Sequence, residues 1–139
     1  MSTSYGRIAE LDCADTNSWI AYLAGSAGPD VERIEEGLAG RFLVMCPVVL
    51  AELLSDPALS PEAAQFFQRI PFLPLTEDYW VRAGMLRGRM IRLGHKPKLA
   101  GTLVVQSCLD HDALLLSRDR DFRPFVKHAR LKLFPYPSA

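Results

Sequence analysis

Short apolar runs alternate along this chain with stretches of helical spacing, and that alternation predicts an α/β fold with a mostly parallel sheet. The first run, about Ala9 to Ala14, sets Ala9, Leu11 and Cys13 against Glu10 and Asp12, the period of a strand with one covered face. Helices are expected from about Asn17 to Ala24, closed by Gly25, and from about Asp30 to Leu38, closed by Gly40. Phe42 to Cys46 reads as the second strand. Pro47 then suits the first turn of a helix reaching about Ser55, where its missing N–H costs nothing. Ser60-Pro61-Glu62 opens a helix to about Arg69, and Phe72 to Leu75 is a short strand that Pro74 confines to an edge. Thr76 is placed as the cap of a long helix to about Leu93, ended by Gly94. Lys98 to about His111 is a further helix, Ala113 to Leu116 a buried strand, Asp119 to about Val126 a short helix, and Leu131 to Phe134 the last strand. In such sheets sites form beyond the carboxyl ends of the strands, so polar residues at those ends carry the chemistry.

At 139 residues and 49% hydrophobic, the chain fits one domain over 1–139 with a real core. Its longest apolar run, Phe42 to Leu54, is interrupted by Pro47 and Glu52 and is too short to cross a bilayer. The start is not of signal-peptide type, so a soluble, cytoplasmic protein without membrane contact is expected. Cys13, Cys46 and Cys108 are odd in number, lack CxxC spacing and sit among apolar neighbours, which reads as core thiols. The zero net charge hides a division. Residues 1–78 hold 12 acids and 4 bases, a balance of −8, and residues 79–139 hold 4 acids and 12 bases, a balance of +8. An acidic half suited to cations and a basic half suited to phosphates favour work on a polyanion, unless folding intermixes them.

Acids fall at three places at strand ends or close by. Asp15 follows the first strand in Ala14-Asp15-Thr16-Asn17, where a helix cap is the competing reading. Glu52 lies in the otherwise apolar helix Pro47-Val-Val-Leu-Ala-Glu-Leu-Leu54, either on its one exposed face or buried with a cation or donors. Asp119 and Asp121 follow the strand Ala113–Leu116 in Ser117-Arg-Asp-Arg-Asp-Phe122, which also reads as a surface turn. Brought to one sheet edge, these carboxylates make a pocket for a hard divalent ion such as Mg²⁺ or Mn²⁺, able to activate water against a phosphodiester.

In order and spacing, from about Cys13 to Phe134, these motifs resemble the PIN-domain ribonucleases, especially the VapC-type toxins of toxin–antitoxin pairs. The resemblance implies a three-layer α/β/α sandwich and a Mg²⁺- or Mn²⁺-dependent endoribonuclease, often a homodimer, silenced by a cognate antitoxin. It also implies metal-site roles for Asp15, Glu52 and Asp119, an accessory role for Asp121, and support from Thr16, Asn17 and Ser117. One position departs from the pattern. The family's acid in the helix before the last motif aligns with Gly101, which cannot ligate a metal and costs about 1 kcal/mol against alanine in a helix. A disarming substitution, a naturally degenerate site or a substitute acid would each explain it. Asp110 is too far along the helix to substitute, roughly 13 Å at 1.5 Å per residue. Non-catalytic binding of RNA or antitoxin on the same fold is the alternative function, and a metal-dependent DNA nuclease a weaker third.

Between Tyr79 and Leu109 there is no acid, and the bases there supply candidate RNA contacts at Arg89, Arg92, Lys96 and Lys98, with Arg118 and Arg120 added from the last motif. A solvated helix face competes for the former and ion pairing within the motif for the latter. His95, His111 and His128 have no metal spacing, and general-base work by histidine is the minor reading. Trp19, Ile20 and Leu23 form an apolar side of the first helix that could face core, antitoxin or a second subunit.

Overall fold

The computed structural model describes residues 10–135. Its elements run β1 (Asp12–Ala14), α1 (Thr16–Leu23), α2 (Pro29–Gly40), β2 (Leu43–Val44), α3 (Pro47–Leu54), α4 (Pro61–Gln68), α5 (Tyr79–Arg92), α6 (Leu99–His111), β3 (Leu114–Leu116), α7 (Arg123–Ala129) and β4 (Lys132–Phe134). The strands form one parallel sheet in the order β2-β1-β3-β4, with Cys13 beside Val44 on one side and Leu115 on the other. Helices cover it in a three-layer α/β/α sandwich, as expected.

Burial explains where the strands differ from their sequence pattern. β1 does not alternate: Asp12, Cys13 and Ala14 are all fully buried, because a central parallel strand is covered on both faces. Asp12 is tolerated there through Arg33 of α2, whose Nε donates to Oδ2 at 2.7 Å. Ala9, placed at the start of this strand, lies outside the described residues. The Phe72–Leu75 edge strand contracts to one parallel bridge between Phe72 and Met45, since Pro71 and Pro74 offer no N–H to continue a ladder.

Helix ends also depart from expectation. α5 is entered through Asp78 in the left-handed region at φ 59°, and Thr76 instead donates its hydroxyl to Asp110 at 2.8 Å. Asp110 is further engaged by Arg82 and Gln106, so it is spent on joining α6 to α5. The short helix after β3 divides into a 3₁₀ turn, Arg120–Phe122, and α7. Trp19 is wholly buried and packs edge-on against Tyr22, Phe66 and Phe67, whereas Ile20 and Leu23 face outward.

The strand order fixes where a site can form. From β1 the chain leaves through α1 and α2 to β2 on one side, and from β3 through α7 to β4 on the other. The connections part at the carboxyl ends of β1 and β3, which opens a crevice there.

Candidate active site

Both flanks of that crevice carry acids. Asp15 leaves β1 with its N–H donated to the Leu116 carbonyl at the end of β3, at 2.8 Å, so the two strand ends are tied where their polar residues begin. Asp15 occupies the N-cap position of α1, but its buried side chain makes no capping hydrogen bond there. Ser117 stands across from it. The Ser117 hydroxyl lies 3.2 Å from Asp15 Oδ2 and 3.3 Å from Asn17 Oδ1, two acceptors for its single hydrogen. The same oxygen accepts the Asp119 N–H at 3.0 Å, and Asp119 Oδ1 accepts the Asp121 N–H at 2.8 Å, setting the 3₁₀ turn. The Ser117–Asp121 segment is thus both a turn and a wall of acids.

Glu52 is exposed on α3, not buried as the apolar sequence around it allowed. Its Oε1 accepts the Thr16 hydroxyl at 2.7 Å, so Thr16 steadies the glutamate while Asn17 steadies the turn after β3. Asp15, Glu52, Asp119 and Asp121 line one pocket of about 580 Å³. Burial pushes the Asp15 carboxyl up to about 6; the Thr16 N–H and the Ser117 hydroxyl oppose this, and the charges of Glu52 and Asp119 add to it.

The connection between α5 and α6 also contributes to the pocket. His95, Lys96, Pro97 and Lys98 line the pocket from there, and Arg120 from the turn after β3. The other three predicted RNA contacts are placed elsewhere. Arg118 turns away to the buried Asp30, with Nε on Oδ2 at 2.7 Å and Nη2 on Oδ1 at 3.1 Å, and its Nη2 also reaches the Ala27 carbonyl. Arg89 donates to the His128 carbonyl at 2.8 Å, and Arg92 lies on the exposed side of α5, outside the pocket lining. The floor is apolar, with Met90, Val104, Phe122 and Phe125, none of which the sequence had marked for the site.

Gly101 sits in the first turn of α6 and lines this pocket. A β-carbon built there would meet only the Phe122 ring, at 3.6 Å, an ordinary contact. The position therefore has room for a side chain. As a donor set the four carboxylates fit a hard divalent ion in kind. Among the described residues no group of three ligating side chains is close enough to hold one, and Gly101 adds no donor.

The PIN domain family matches the chain over residues 13–127. No curated protein matches it. Among solved structures the chain is similar to VapBC2 from Rickettsia felis bound to a promoter DNA fragment, at 18% identity and TM-score 0.68, covering 91% of this chain and 99% of that one. It is also similar to VapBC-1 from nontypeable Haemophilus influenzae, at 17% identity and TM-score 0.68 over 88% and 96% of the two chains. VapBC-5 from Mycobacterium tuberculosis follows at 16% and TM-score 0.65, over 90% and 98%. These likenesses speak for the fold. The family match runs from Cys13 in the first strand to Lys127 in the last helix and takes in every acid of the pocket, so the chain belongs to the PIN domain family.

Proposed function

We propose that this chain is the toxin of a type II toxin–antitoxin pair, a VapC-type endoribonuclease that hydrolyses RNA phosphodiesters in the cytoplasm. The observation that carries the reading is one pocket lined by four carboxylates and also by His95, Lys96 and Lys98. Carboxylates alone would repel phosphate; cations in the same lining offset them.

As placed, Asp15, Glu52 and Asp119 do not by themselves enclose an ion; they are the residues that would share a Mg²⁺ or Mn²⁺ ion with its retained waters, with Asp121 beside them. Bound there, the ion would supply an acidified water and charge stabilisation for the leaving oxygen. The chain's own groups orient the acids: Ser117 holds Asp15, Thr16 holds Glu52, and the Asp121 N–H holds Asp119. Lys96, Lys98 and Arg120 would take the phosphates that flank the scissile one. A second pocket of about 290 Å³ between α1 and α3, lined by Ile20, Leu23, Leu53 and Leu59 and touching Glu52, supports docking of an apolar antitoxin segment next to the acids. A second copy of the chain completes the proposed partners. The exposed Trp80, Val81 and Met85 of α5 are the apolar surface that supports a homodimer.

Gly101 favours a second reading, a PIN fold that binds RNA or antitoxin without cutting. The deciding experiment is Mn²⁺-dependent cleavage of RNA by this chain and by Gly101→Asp. The expected result is weak cleavage by the chain and a gain of at least about tenfold in the variant, roughly 1.4 kcal/mol of barrier. Equal activity in both overturns disarming at Gly101, and no cleavage by either leaves the binding protein as the function.

A further inference from the structure

Outside the acids, a group of titratable side chains lies where the α5–α6 connection meets α7. The rings of His95 and His128 are 5.2 Å apart between centroids and tilted by 49°. The connection is held in place by α5, which is itself tied to α7. The His95 N–H donates to the Met90 carbonyl at 3.0 Å, Arg87 Nε donates to the Pro97 carbonyl at 3.0 Å, and Arg89 ties α5 to the His128 carbonyl. His95 also lines the acidic pocket together with Lys96 and Lys98, and His128, outside that lining, stands behind it at the ring contact with His95.

Every charge acting on His128 is a cation or can become one. Facing it are Arg89 from α5, His95 from the connection and Lys127 on its own helix. Burial, then His95, Lys127 and Arg89, hold its ring below the usual histidine value. Among the described residues, Arg89, Lys96, Lys98 and Lys127 join no salt bridge with a carboxylate. Two imidazoles beside cations that make no direct ion pair form an incomplete electrostatic arrangement. An anion completes it, and would draw a proton from solvent onto His128.

We infer that His95 and His128, with Lys96 and Lys98, form a phosphodiester subsite for RNA beside the carboxylate pocket, and that RNA binding there is coupled to protonation of His128. The inference rests on the nuclease reading and specifies how the strand is held. Binding is strongest where His128 is protonated in the complex and weakens as pH rises through its titration.

The test is fluorescence anisotropy of a short labelled single-stranded RNA at constant ionic strength, with divalent ions chelated, between about pH 5.5 and 8. Wild type should bind about tenfold more tightly at the acid end for each pKa unit that the phosphate restores to His128. His128→Gln should lose that part of the slope. Asp15 titrates in the same range and contributes equally to both proteins, so the difference between them isolates His128. In wild type, the His128 ring followed by proton NMR should titrate at higher pH with RNA present, a readout that needs no variant. His95→Gln should weaken binding at every pH. Equal slopes in wild type and His128→Gln, or an unmoved His128 titration, overturn the subsite and leave the nuclease reading standing. No RNA binding at any pH, with or without Mn²⁺, overturns both. Displacement of RNA by polyglutamate of equal charge, with the same proton uptake, would reassign the site to an acidic protein segment and overturn the phosphodiester assignment.

Discussion

At Asp15 burial and charge oppose each other, and the consequence can be measured. An unfolded aspartate titrates near 3.8 and the folded Asp15 near about 6, so the folded chain binds this proton more tightly. The stability so gained is complete below about pH 4 and is lost as pH rises through about 6. Converted at 1.36 kcal/mol per pKa unit, the loss is up to about 3 kcal/mol in metal-free protein. Asp15→Asn keeps the size and an acceptor for Ser117 but carries no charge. The variant should therefore be more stable than wild type at about pH 7.5 by an amount approaching that figure, and the two should converge near about pH 4. Urea unfolding at the two pH values checks this, and a gap that does not change with pH would show that burial does not shift Asp15. Added Mn²⁺ should stabilise wild type at the higher pH and leave Asp15→Asn almost unmoved, because the ionised carboxylate is the form that binds a cation.

The turn after β3 owes its position to a pair that sequence did not reveal. Asp30, in the first turn of α2, is almost wholly buried and accepts from Arg118 and from the Ser18 hydroxyl at 2.7 Å. Burial alone would raise its carboxyl; Arg118, Ser18 and the Val31 N–H more than offset that and hold it below the usual carboxylate range. Arg118 thereby fastens the segment that carries Asp119 to the junction of α1 and α2. Arg118→Ala leaves a buried carboxylate without its cation and should cost about 3 kcal/mol, while Asp30→Ala combined with Arg118→Ala should recover part of the loss. Thermal or urea unfolding of the single and double variants measures the coupling, and strictly additive losses would refute it. The same pair marks the limit of reading from sequence. That Asp15, Asp119 and Asp121 would meet in one pocket was legible because strand ends follow from local pattern and a parallel sheet gathers its strand ends on one edge, and Glu52 stood out as the one acid in an apolar helix. Arg118 was misread as an RNA contact because its partner is 88 residues away along the chain. Thr16, expected by the resemblance as a supporting residue, acts on Asp15 through its N–H and on Glu52, 36 residues on, through its hydroxyl. Asp12 was given an outward face for want of knowing that β1 lies between two strands. Local pattern sets elements and their ends, whereas side-chain partners across layers follow from the assembled fold.

The charges divided along the chain meet in one pocket. The acidic half contributes Asp15 and Glu52, the basic half contributes His95, Lys96 and Lys98, and the turn after β3 brings Asp119 and Asp121 with Arg120. Sheet topology produces this meeting, because β1 and β3 are neighbours despite the four helices between β2 and β3. A molecule of zero net charge has little long-range pull on RNA, so affinity must come from the few cations of the pocket lining. Counterion release then makes a definite claim. Each phosphate neutralised contributes about −0.7 to the slope of log affinity against log salt for a single strand. Lys96→Ala with Lys98→Ala should therefore flatten the slope by about 1.4 and weaken binding most at low salt. Arg92→Ala, on the exposed side of α5, should leave the slope unchanged. Anisotropy titrations at several salt concentrations separate the two results. A flattening by Arg92→Ala equal to that of the lysine pair would move the RNA path off the pocket and along α5, away from the acids that Lys96 and Lys98 are proposed to serve.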